Sequence, residues 1–252
     1  MKRILLILLG VGVLLANVAA VQAAQVDFTV GQSAVNMDLF YNGASIPVTG
    51  SIPEGALVVV RFIGKIGEVT MKQKGKAMGL LWMNMNTLHF SNMPAICLVE
   101  SSAPLAGAGR AGEKLGLAGV AESIVIEPAS ADRQMLLPEI LKLKKSEGLY
   151  REDADAVKLE SAKDGRQAFS GQVRVPSRLS PGEYSIEVFA VKDGEVIAQD
   201  VKPIAARLVG APAFIANLAF NHGTWYGILA SVIAMAAGLV VGLIFRSKGG
   251  GH

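Results

Sequence analysis

The strongest constraint on this chain is an apolar block near its C-terminus, the 23 residues Gly223–Phe245, which carry no charged side chain. As an α-helix this block would be about 34 Å long, enough to cross the roughly 30 Å hydrocarbon core of a bilayer. Trp225 and Tyr226 stand at its start, where aromatic rings favour the membrane interface, and Arg246 and Lys248 follow its end. The block is therefore predicted to be a single transmembrane helix, with residues 246–252 as a cytoplasmic tail.

The N-terminus carries a second apolar segment with the features of an export signal. Lys2 and Arg3 precede a long apolar run, and Val21 and Ala23 occupy the two positions that a signal peptidase reads. Residues 1–23 are therefore predicted to be a secretory signal peptide, with an uncleaved anchor as the alternative. Together with the basic tail, this signal predicts a single-pass protein of the inner (cytoplasmic) membrane. Its ectodomain would face the periplasm.

The charge distribution argues against nucleic-acid binding. The chain has 24 Lys+Arg and 21 Asp+Glu residues, a formal net charge of +3. Four of the basic residues, Lys2, Arg3, Arg246 and Lys248, lie in the signal and the tail, so 20 remain against 21 acidic residues in the ectodomain. A net charge of −1 there gives no general attraction for phosphate backbones. The basic excess instead serves membrane insertion.

Motifs of enzymes and metalloproteins do not occur in the sequence. Cys97 is the single cysteine, which excludes an intramolecular disulfide and any cysteine-clustered metal site within one chain. The three histidines, His89, His222 and His252, are far apart, and no hydrolase, nucleotide-binding or zinc-protease motif is found. We therefore expect no enzyme activity and no cofactor. In its apolar run, Cys97 is expected to be a buried, inert thiol, with a redox or intermolecular disulfide role as the alternative.

Short apolar runs separated by turn residues predict strands in two parts of the ectodomain, residues 24–103 and 150–202. In the second part, Pro181-Gly182 is a turn before a strand with Tyr184, and Asp193-Gly194 is typical of a hairpin. In the first part, an apolar run before Asn42-Gly43 is interpreted as a strand that contains Leu39 and Phe40. This pattern predicts a mainly β protein with an immunoglobulin-like or fibronectin-like β-sandwich ectodomain. One interrupted sandwich and two joined sandwiches both fit.

Residues 104–149 lack the strand pattern and are predicted to be a helical insertion. Leucine and isoleucine recur there at helical spacing, and Gly148 is a candidate C-cap. Pro138 is expected to end one short helix or to open another. Residues 203–222 join the ectodomain to the membrane helix; they contain no charge after Arg207, and an interfacial helix is expected there.

A candidate ligand surface lies in the middle of the first β-rich part. Lys72, Lys74 and Lys76 recur at every second position, which would place them on one face of a strand. Trp82 and Asn84 would share one face of the next strand. The lysines form either a solvated strand face or a small positive surface for an oxyanion such as sulfite, or for lipid headgroups.

Methionines in the same region allow two interpretations. Met83 and Met85 would lie together on one strand face, as core residues do, and flexible methionine side chains fill irregular gaps. Core packing is therefore the interpretation that the spacing favours. Soft thioether ligands also suit Cu(I), so a copper site is the alternative.

Small residues recur along one face of the predicted membrane helix. They occur at every fourth position: Ala230, Ala234, Gly238 and Gly242. Such a face lets a second helix approach closely, and this is how helices commonly associate in lipid. Besides the lipid bilayer itself, the predicted partner is a membrane protein such as a permease, or a second copy of this chain.

Several spaced motifs resemble a known family over nearly the whole mature chain. They are the Lys72 to Lys76 stripe, Gly79-x-x-Trp82-x-Asn84, Pro94, Glu147-Gly148-Leu149-Tyr150, Pro181-Gly182-x-Tyr184, Asp193-Gly194 and Tyr226-Gly227. In this order they resemble the family of transmembrane proteins first described from Alphaproteobacteria. The resemblance implies a single C-terminal transmembrane helix. Members are often encoded beside sulfite-exporter-type permeases, which implies a transport-linked accessory role.

These observations lead to one expectation and one alternative. We expect a single-pass, outward-facing, non-enzymatic accessory or interaction subunit, with a sulfite-exporter-type permease as the partner that the resemblance suggests. The alternative is an anion-binding or Cu(I)-binding extracytoplasmic module.

Overall fold

The computed structural model describes residues 26–77 and 80–246. The predicted signal peptide, residues 1–23, and Lys248 of the predicted tail lie outside the described residues.

Two large sheets form the centre of the described chain. The first has four antiparallel strands, in the order β1 (Asp27–Val30), β3 (Ala44–Pro53), β11 (Arg166–Val175) and β10 (Lys158–Leu159). The second has six strands, in the order β2 (Ala34–Met37), β13 (Glu195–Leu208), β12 (Gly182–Lys192), β4 (Leu57–Gly64), β7 (Cys97–Ser101) and β9 (Tyr150–Asp153). Its pairs are antiparallel except for β2 with β13 and β7 with β9.

Strands from the two predicted β-rich parts interleave within these sheets. Strand β3, from residues 24–103, pairs along its whole length with β11, from residues 150–202. Strand β4 pairs with β12 in the same manner. The two parts therefore share sheets, and they do not fold as two separate sandwiches.

A hydrophobic core lies between the four-stranded and the six-stranded sheet. Alternate residues of β3 and β11, among them Ile46, Val48 and Phe169, pack with Val60 and Ile186 of the six-stranded sheet. This alternation is expected of strands that bury one face. The prediction of a mainly β protein with a C-terminal apolar helix is confirmed. The immunoglobulin-like arrangement stays a prediction.

A layer of helices covers the outer face of the six-stranded sheet. It consists of α1 (Gly109–Leu115), α2 (Leu117–Ser123) and α3 (Arg133–Ser146). Leu115, Leu117 and Ile140 of these helices form a second core with Cys97 and Val99 of β7. Strand β7 is therefore buried on both faces, which explains why Cys97, Leu98 and Val99 are apolar in succession.

Helix α3 corrects the expectation for Pro138. The helix runs through this proline, which is its sixth residue. A proline at this position removes only one hydrogen bond, the one that would reach the carbonyl of Gln134. Asp132 stabilises the start of the helix, because its side chain accepts a hydrogen bond from the N–H of Met135 at 3.1 Å.

Strands β5 (Ile66–Ala77) and β6 (Leu81–Pro94) form a long two-stranded hairpin, here called the ribbon. It continues the antiparallel register of β4 with β7, because Gly64 N donates to Ile96 O and Ala95 N donates to Lys65 O, both at 3.0 Å. A third strand, β8 (Val125–Glu127), pairs only with the base of β6. The outer part of the ribbon therefore has two strands and no covering layer among the described residues.

The chain ends in two apolar helices. Helix α4 (Ala211–Asn221) follows β13 after a two-residue connection, and α5 (Gly223–Arg246) follows α4 after His222. Gly210 precedes α4 with a φ of +64°, a left-handed conformation that glycine adopts at little cost.

Candidate membrane and partner surfaces

Helix α5 is the one described helix that is long and apolar enough to span a membrane. It has 24 residues, and the described side chains along it are exposed and contact no core. In water such a surface would be strongly unfavourable, because each exposed apolar side chain costs about 1.5–3 kcal/mol relative to burial. A bilayer removes that cost, so the exposure of this helix fits a membrane environment.

The small-residue face of α5 is exposed in the described chain. It is formed by Ala230, Ala234, Gly238 and Gly242, as the four-residue spacing predicts. A side chain added at Gly238 or Gly242 would meet no atom within 4 Å. The face is therefore open for another helix, and larger residues can be introduced there without disturbing this chain.

The predicted interface residues flank this helix. Trp225 and Tyr226 lie in its first turn with exposed side chains. Arg246 is its last residue; the Arg246 side chain and Lys248 lie outside the described residues. Aromatic rings at one end and a basic residue at the other agree with a membrane-spanning orientation.

Helix α4 forms in the predicted juxtamembrane segment. Pro212 lies in its first turn, where a proline is tolerated because the missing N–H has no partner there. The helix has no charged residue and no buried residue, and Phe214, Ile215 and Phe220 are exposed. An exposed apolar surface of this kind marks a contact with a membrane or with another protein.

The ribbon brings together the backbones of the predicted ligand surface. Lys72, Lys74 and Lys76 alternate along β5 with exposed side chains. Lys74 pairs with Asn84, so these two residues share one face of the ribbon, and Lys76 pairs with Trp82 in the backbone register. The Trp82 side chain lies outside the described residues. The structure therefore gives a positive face, open to the surroundings, near the ribbon tip.

The opposite face of the ribbon corrects the interpretation of the methionines. Met83 and Met85 are 51% and 53% exposed, so they are not core residues. The sequence pattern is the same at the base of β6, where Leu88 and Phe90 are buried against the helical layer. The difference arises because the ribbon extends beyond that layer, which a local pattern does not reveal.

Cys97 lies in the centre of the second core. Its side chain is fully buried, and burial raises the pKa of the thiol to about 12. At neutral pH the thiol is therefore protonated, and the thiolate is the reactive form. This environment agrees with the expected inert thiol.

A buried carboxylate at the edge of the six-stranded sheet was not anticipated from the sequence. Glu100 of β7 is 2% exposed and lies 3.2 Å from the Arg151 guanidinium of β9. Burial raises the pKa of Glu100, although Arg151 acts in the opposite direction. Arg151 also bonds Asp153 at 2.7 Å. The group stabilises the β7–β9 pairing and lies too deep to serve as a surface site.

A second unanticipated feature is an exposed apolar loop after β2. The strand ends at Met37, and Asp38 Oδ1 accepts a hydrogen bond from Phe40 N at 2.9 Å, which forms a turn. Leu39 and Phe40 therefore lie in a loop, 67% and 86% exposed, and not in the predicted strand. Asp38, two residues before Phe40, is the sequence feature from which this turn could have been predicted.

Comparison with known protein families gives a match over most of the chain. A family model described as "Putative transmembrane protein (Alph_Pro_TM)" matches residues 25–247. This match confirms the resemblance seen in the sequence motifs. No curated protein matches the chain.

Proposed function

We propose that this chain, which belongs to the Alph_Pro_TM family of transmembrane proteins, is a non-enzymatic accessory subunit of another membrane protein. In this proposal α5 crosses the inner membrane once, the C-terminus is cytoplasmic, and the β domain is a periplasmic, immunoglobulin-like β-sandwich. The favoured partner is a permease of the sulfite-exporter type, which the sequence resemblance suggested.

The open small-residue face of α5 is the observation that carries this proposal. A methyl group added at Gly238 or Gly242 would have no neighbouring atom within 4 Å, although the β domain of the same chain is well packed. Helices in lipid associate through close packing of such faces, because lipid offers no hydrophobic force between them. A helix of a partner protein would complete this packing.

The positions of the perturbed titratable groups support a non-enzymatic role. Burial raises the pKa of Cys97, Glu100 and Tyr150, which lie in the protein core, and of Tyr41 and Tyr184, whose hydroxyl groups donate to backbone carbonyls. Catalytic groups with perturbed pKa values are usually found in a cleft that admits substrate. Here the raised pKa values result from burial of these side chains as the sheets pack.

Co-purification from native membranes tests the proposal. The full chain, with a C-terminal tag, is extracted in a mild detergent, and the proteins that accompany it are identified. The test variant is Gly238→Leu/Gly242→Leu. The matched control is Val232→Leu/Ala236→Leu, which places two leucines on the opposite side of the same helix.

A multi-pass permease recovered with the wild type and the control, and lost from the test variant, is the expected result. Equal recovery of the permease with both variants would reject the small-residue face as the contact. If the chain is recovered alone or only with its own copies, the accessory role is rejected. Loss of self-association in the test variant would then assign the face to a homodimer.

A second candidate function is oxyanion binding by the ribbon. It is favoured by the shared exposed face of Lys72, Lys74 and Lys76, with Asn84 opposite Lys74. Sulfite or sulfate should then raise the melting temperature of the full chain, and Lys72→Gln/Lys74→Gln should abolish this shift. Cu(I) with Met83→Leu/Met85→Leu tests the remaining alternative in the same assay. No shift with either probe would remove this candidate.

A further inference from the structure

One end of the six-stranded sheet points toward the membrane helix. Tyr184, at the start of β12, pairs with Gly64 at the end of β4 and with Ile204 near the end of β13. These strand ends therefore lie together, at what is here called the proximal end. The chain leaves the sheet there, at Leu208, and continues into α4 and α5. The opposite, distal end carries the turn at Asp193-Gly194.

Exposed apolar side chains from the β2–β3 loop and from the start of β5 lie at the proximal end. Strand β2 ends beside the end of β13, because Met37 pairs with Leu208, so the loop with Leu39 and Phe40 begins there. Ile66, the first residue of β5, is separated from the end of β4 by Lys65 alone and is 60% exposed. A single exposed apolar residue is ordinary, but three at one end of a sheet indicate a contact surface.

The connection to α5 keeps this end close to the bilayer. Helix α4 has 11 residues, which span about 16 Å even if the helix stands upright. Its exposed apolar surface with Phe214 and Phe220 instead favours contact with the bilayer. In that position the two-residue connection between β13 and α4 keeps the proximal end of the sheet near the lipid headgroups.

The two ends of the sheet differ in charge. The proximal end is the more basic one, as binding to an anionic lipid surface requires. The exposed basic residues near the proximal strand ends are Lys65, Lys145, Arg178 and Arg207, against the acidic residues Asp38, Glu147 and Glu183. Of these, Arg178 pairs with Glu147 at 3.4 Å, and Asp38 is used in the loop turn. The distal turns carry the acidic residues Glu54, Asp155, Asp164, Asp193 and Glu195, against the basic residues Lys163 and Lys192. Anionic headgroups therefore favour the proximal end over the distal end, where acidic residues are in excess.

We propose that the proximal end is a lipid-binding surface, in which Leu39, Phe40 and Ile66 enter the bilayer interface and the neighbouring basic residues contact anionic phospholipid headgroups. The inference rests on membrane spanning by α5, which is part of the proposed function. It adds a second membrane contact, which would hold the β domain upright beside its partner. A domain tethered by a flexible connection would lack this fixed orientation.

Fluorescent labels at three positions test this contact in the full chain. The variants are Phe40→Cys at the proximal loop, Val196→Cys as the matched apolar position near the distal end, and Ala236→Cys within α5. The native Cys97 is buried with a pKa of about 12, so it does not compete for the label. The labelled proteins are reconstituted, without any partner, into vesicles of phosphatidylethanolamine and phosphatidylglycerol that contain a lipid-borne quencher.

The Phe40→Cys label should lose at least about half of its fluorescence, whereas the Val196→Cys label should lose almost none. Adding Lys65→Glu/Arg207→Glu, or replacing phosphatidylglycerol by phosphatidylcholine, should reduce the quenching at position 40. Equal quenching at positions 40 and 196 would overturn the proposal. Phe40 is 86% exposed, so its replacement should not affect folding.

The label in α5 separates this inference from the proposed function. Quenching of Ala236→Cys without quenching of Phe40→Cys would reject the lipid-binding surface while α5 still spans the bilayer. The exposed loop would then be a site for a protein partner. Absence of quenching at both positions would reject the membrane-spanning helix as well, and with it the basis of the inference.

Discussion

The two ends of the six-stranded sheet are built in different ways. At the distal end Asp155, Asp164 and Asp193 all adopt positive φ angles, between 52° and 58°. Aspartate tolerates this left-handed conformation, and glycine follows it in Asp164-Gly165 and Asp193-Gly194. At the proximal end the β2–β3 loop instead carries the exposed apolar side chains of Leu39 and Phe40. Local turn chemistry therefore shapes the distal end, whereas another kind of interaction must hold the proximal loops.

Tyrosine hydroxyl groups hold the proximal loops. Tyr150 Oη donates to Pro94 O at 2.8 Å, Tyr184 Oη to Ser180 O at 2.7 Å, and Tyr41 Oη to Pro176 O at 3.2 Å. Each acceptor is a backbone carbonyl in a loop or junction at this end of the sheets. Three of the four tyrosines of the chain serve this purpose. These three hydrogen bonds therefore fix the shape of the proximal loops while their apolar side chains stay exposed.

The largest effect is expected at a distal turn. Gly194 has a φ of +81°, and a β-branched residue is strained there, so Gly194→Val should lower the free energy of unfolding by about 2–3 kcal/mol. Thermal unfolding in detergent micelles should show a drop of roughly 4–8 °C. Gly67→Val is the control, since a side chain at Gly67 meets no atom within 4 Å. Equal melting temperatures for the two variants would contradict the role of turn geometry.

An intermediate effect is expected for a tyrosine at the proximal end. Tyr150→Phe removes a fully buried hydrogen bond and leaves the Pro94 carbonyl without that donor, which should cost about 1–2 kcal/mol. Tyr41→Phe should cost less, because its bond is longer and only partly buried. Urea unfolding of both variants measures the difference. If both variants lose the same free energy of unfolding, burial does not determine the strength of these tyrosine hydrogen bonds.

The raised pKa of the buried Glu100 should be visible in the pH dependence of the free energy of unfolding. Burial raises its pKa in the folded state, so the stability that protonation gives at low pH is lost as the pH rises through that raised pKa. Glu100→Gln keeps an acceptor for Arg151 and does not titrate. The stability of the variant relative to wild type should therefore increase as the pH rises above the ordinary range of a glutamate and through the raised pKa of Glu100. Glu183→Gln, at an exposed position, is the control; a parallel pH response of both variants would refute the assignment.

The smallest effect on folding is expected at the proximal apolar loop. Leu39→Ser/Phe40→Ser removes side chains that contact little of the protein, so the free energy of unfolding in detergent should change by less than about 0.5 kcal/mol. A distal turn and a proximal loop would then differ clearly in their importance for stability. A destabilisation of about 1 kcal/mol or more, which is roughly the usual effect of a point mutation, would show that the loop is part of the core.

Much of the fold could be predicted where a local pattern decides the structure. The alternating residues around Phe169 and Val173 form β11, and Asp193-Gly194 connects β12 to β13 as a hairpin turn. The membrane helix follows from its length and lack of charge alone. Such features depend on backbone geometry and side-chain period, which are properties of neighbouring residues.

The errors fall where burial depends on distant segments. Met83 and Leu88 have the same alternating pattern in β6, but only Leu88 lies beneath the helical layer. Pro138 was expected to interrupt a helix, but its early position in α3 makes the loss of one hydrogen bond tolerable. The candidate lipid surface was missed for the same reason, since Leu39 and Ile66 are far apart in the sequence.

The sequence by itself determined that this chain is mainly β and that it carries one helix able to cross a membrane, because both depend on repeating local patterns. It also indicated the family, through spaced motifs. Only the tertiary structure decided which apolar residues are buried and which end of the sheet adjoins the membrane helix. That decision depends on pairing between distant strands, such as Met37 beside Leu208, and such pairing is set by the packing of the whole domain.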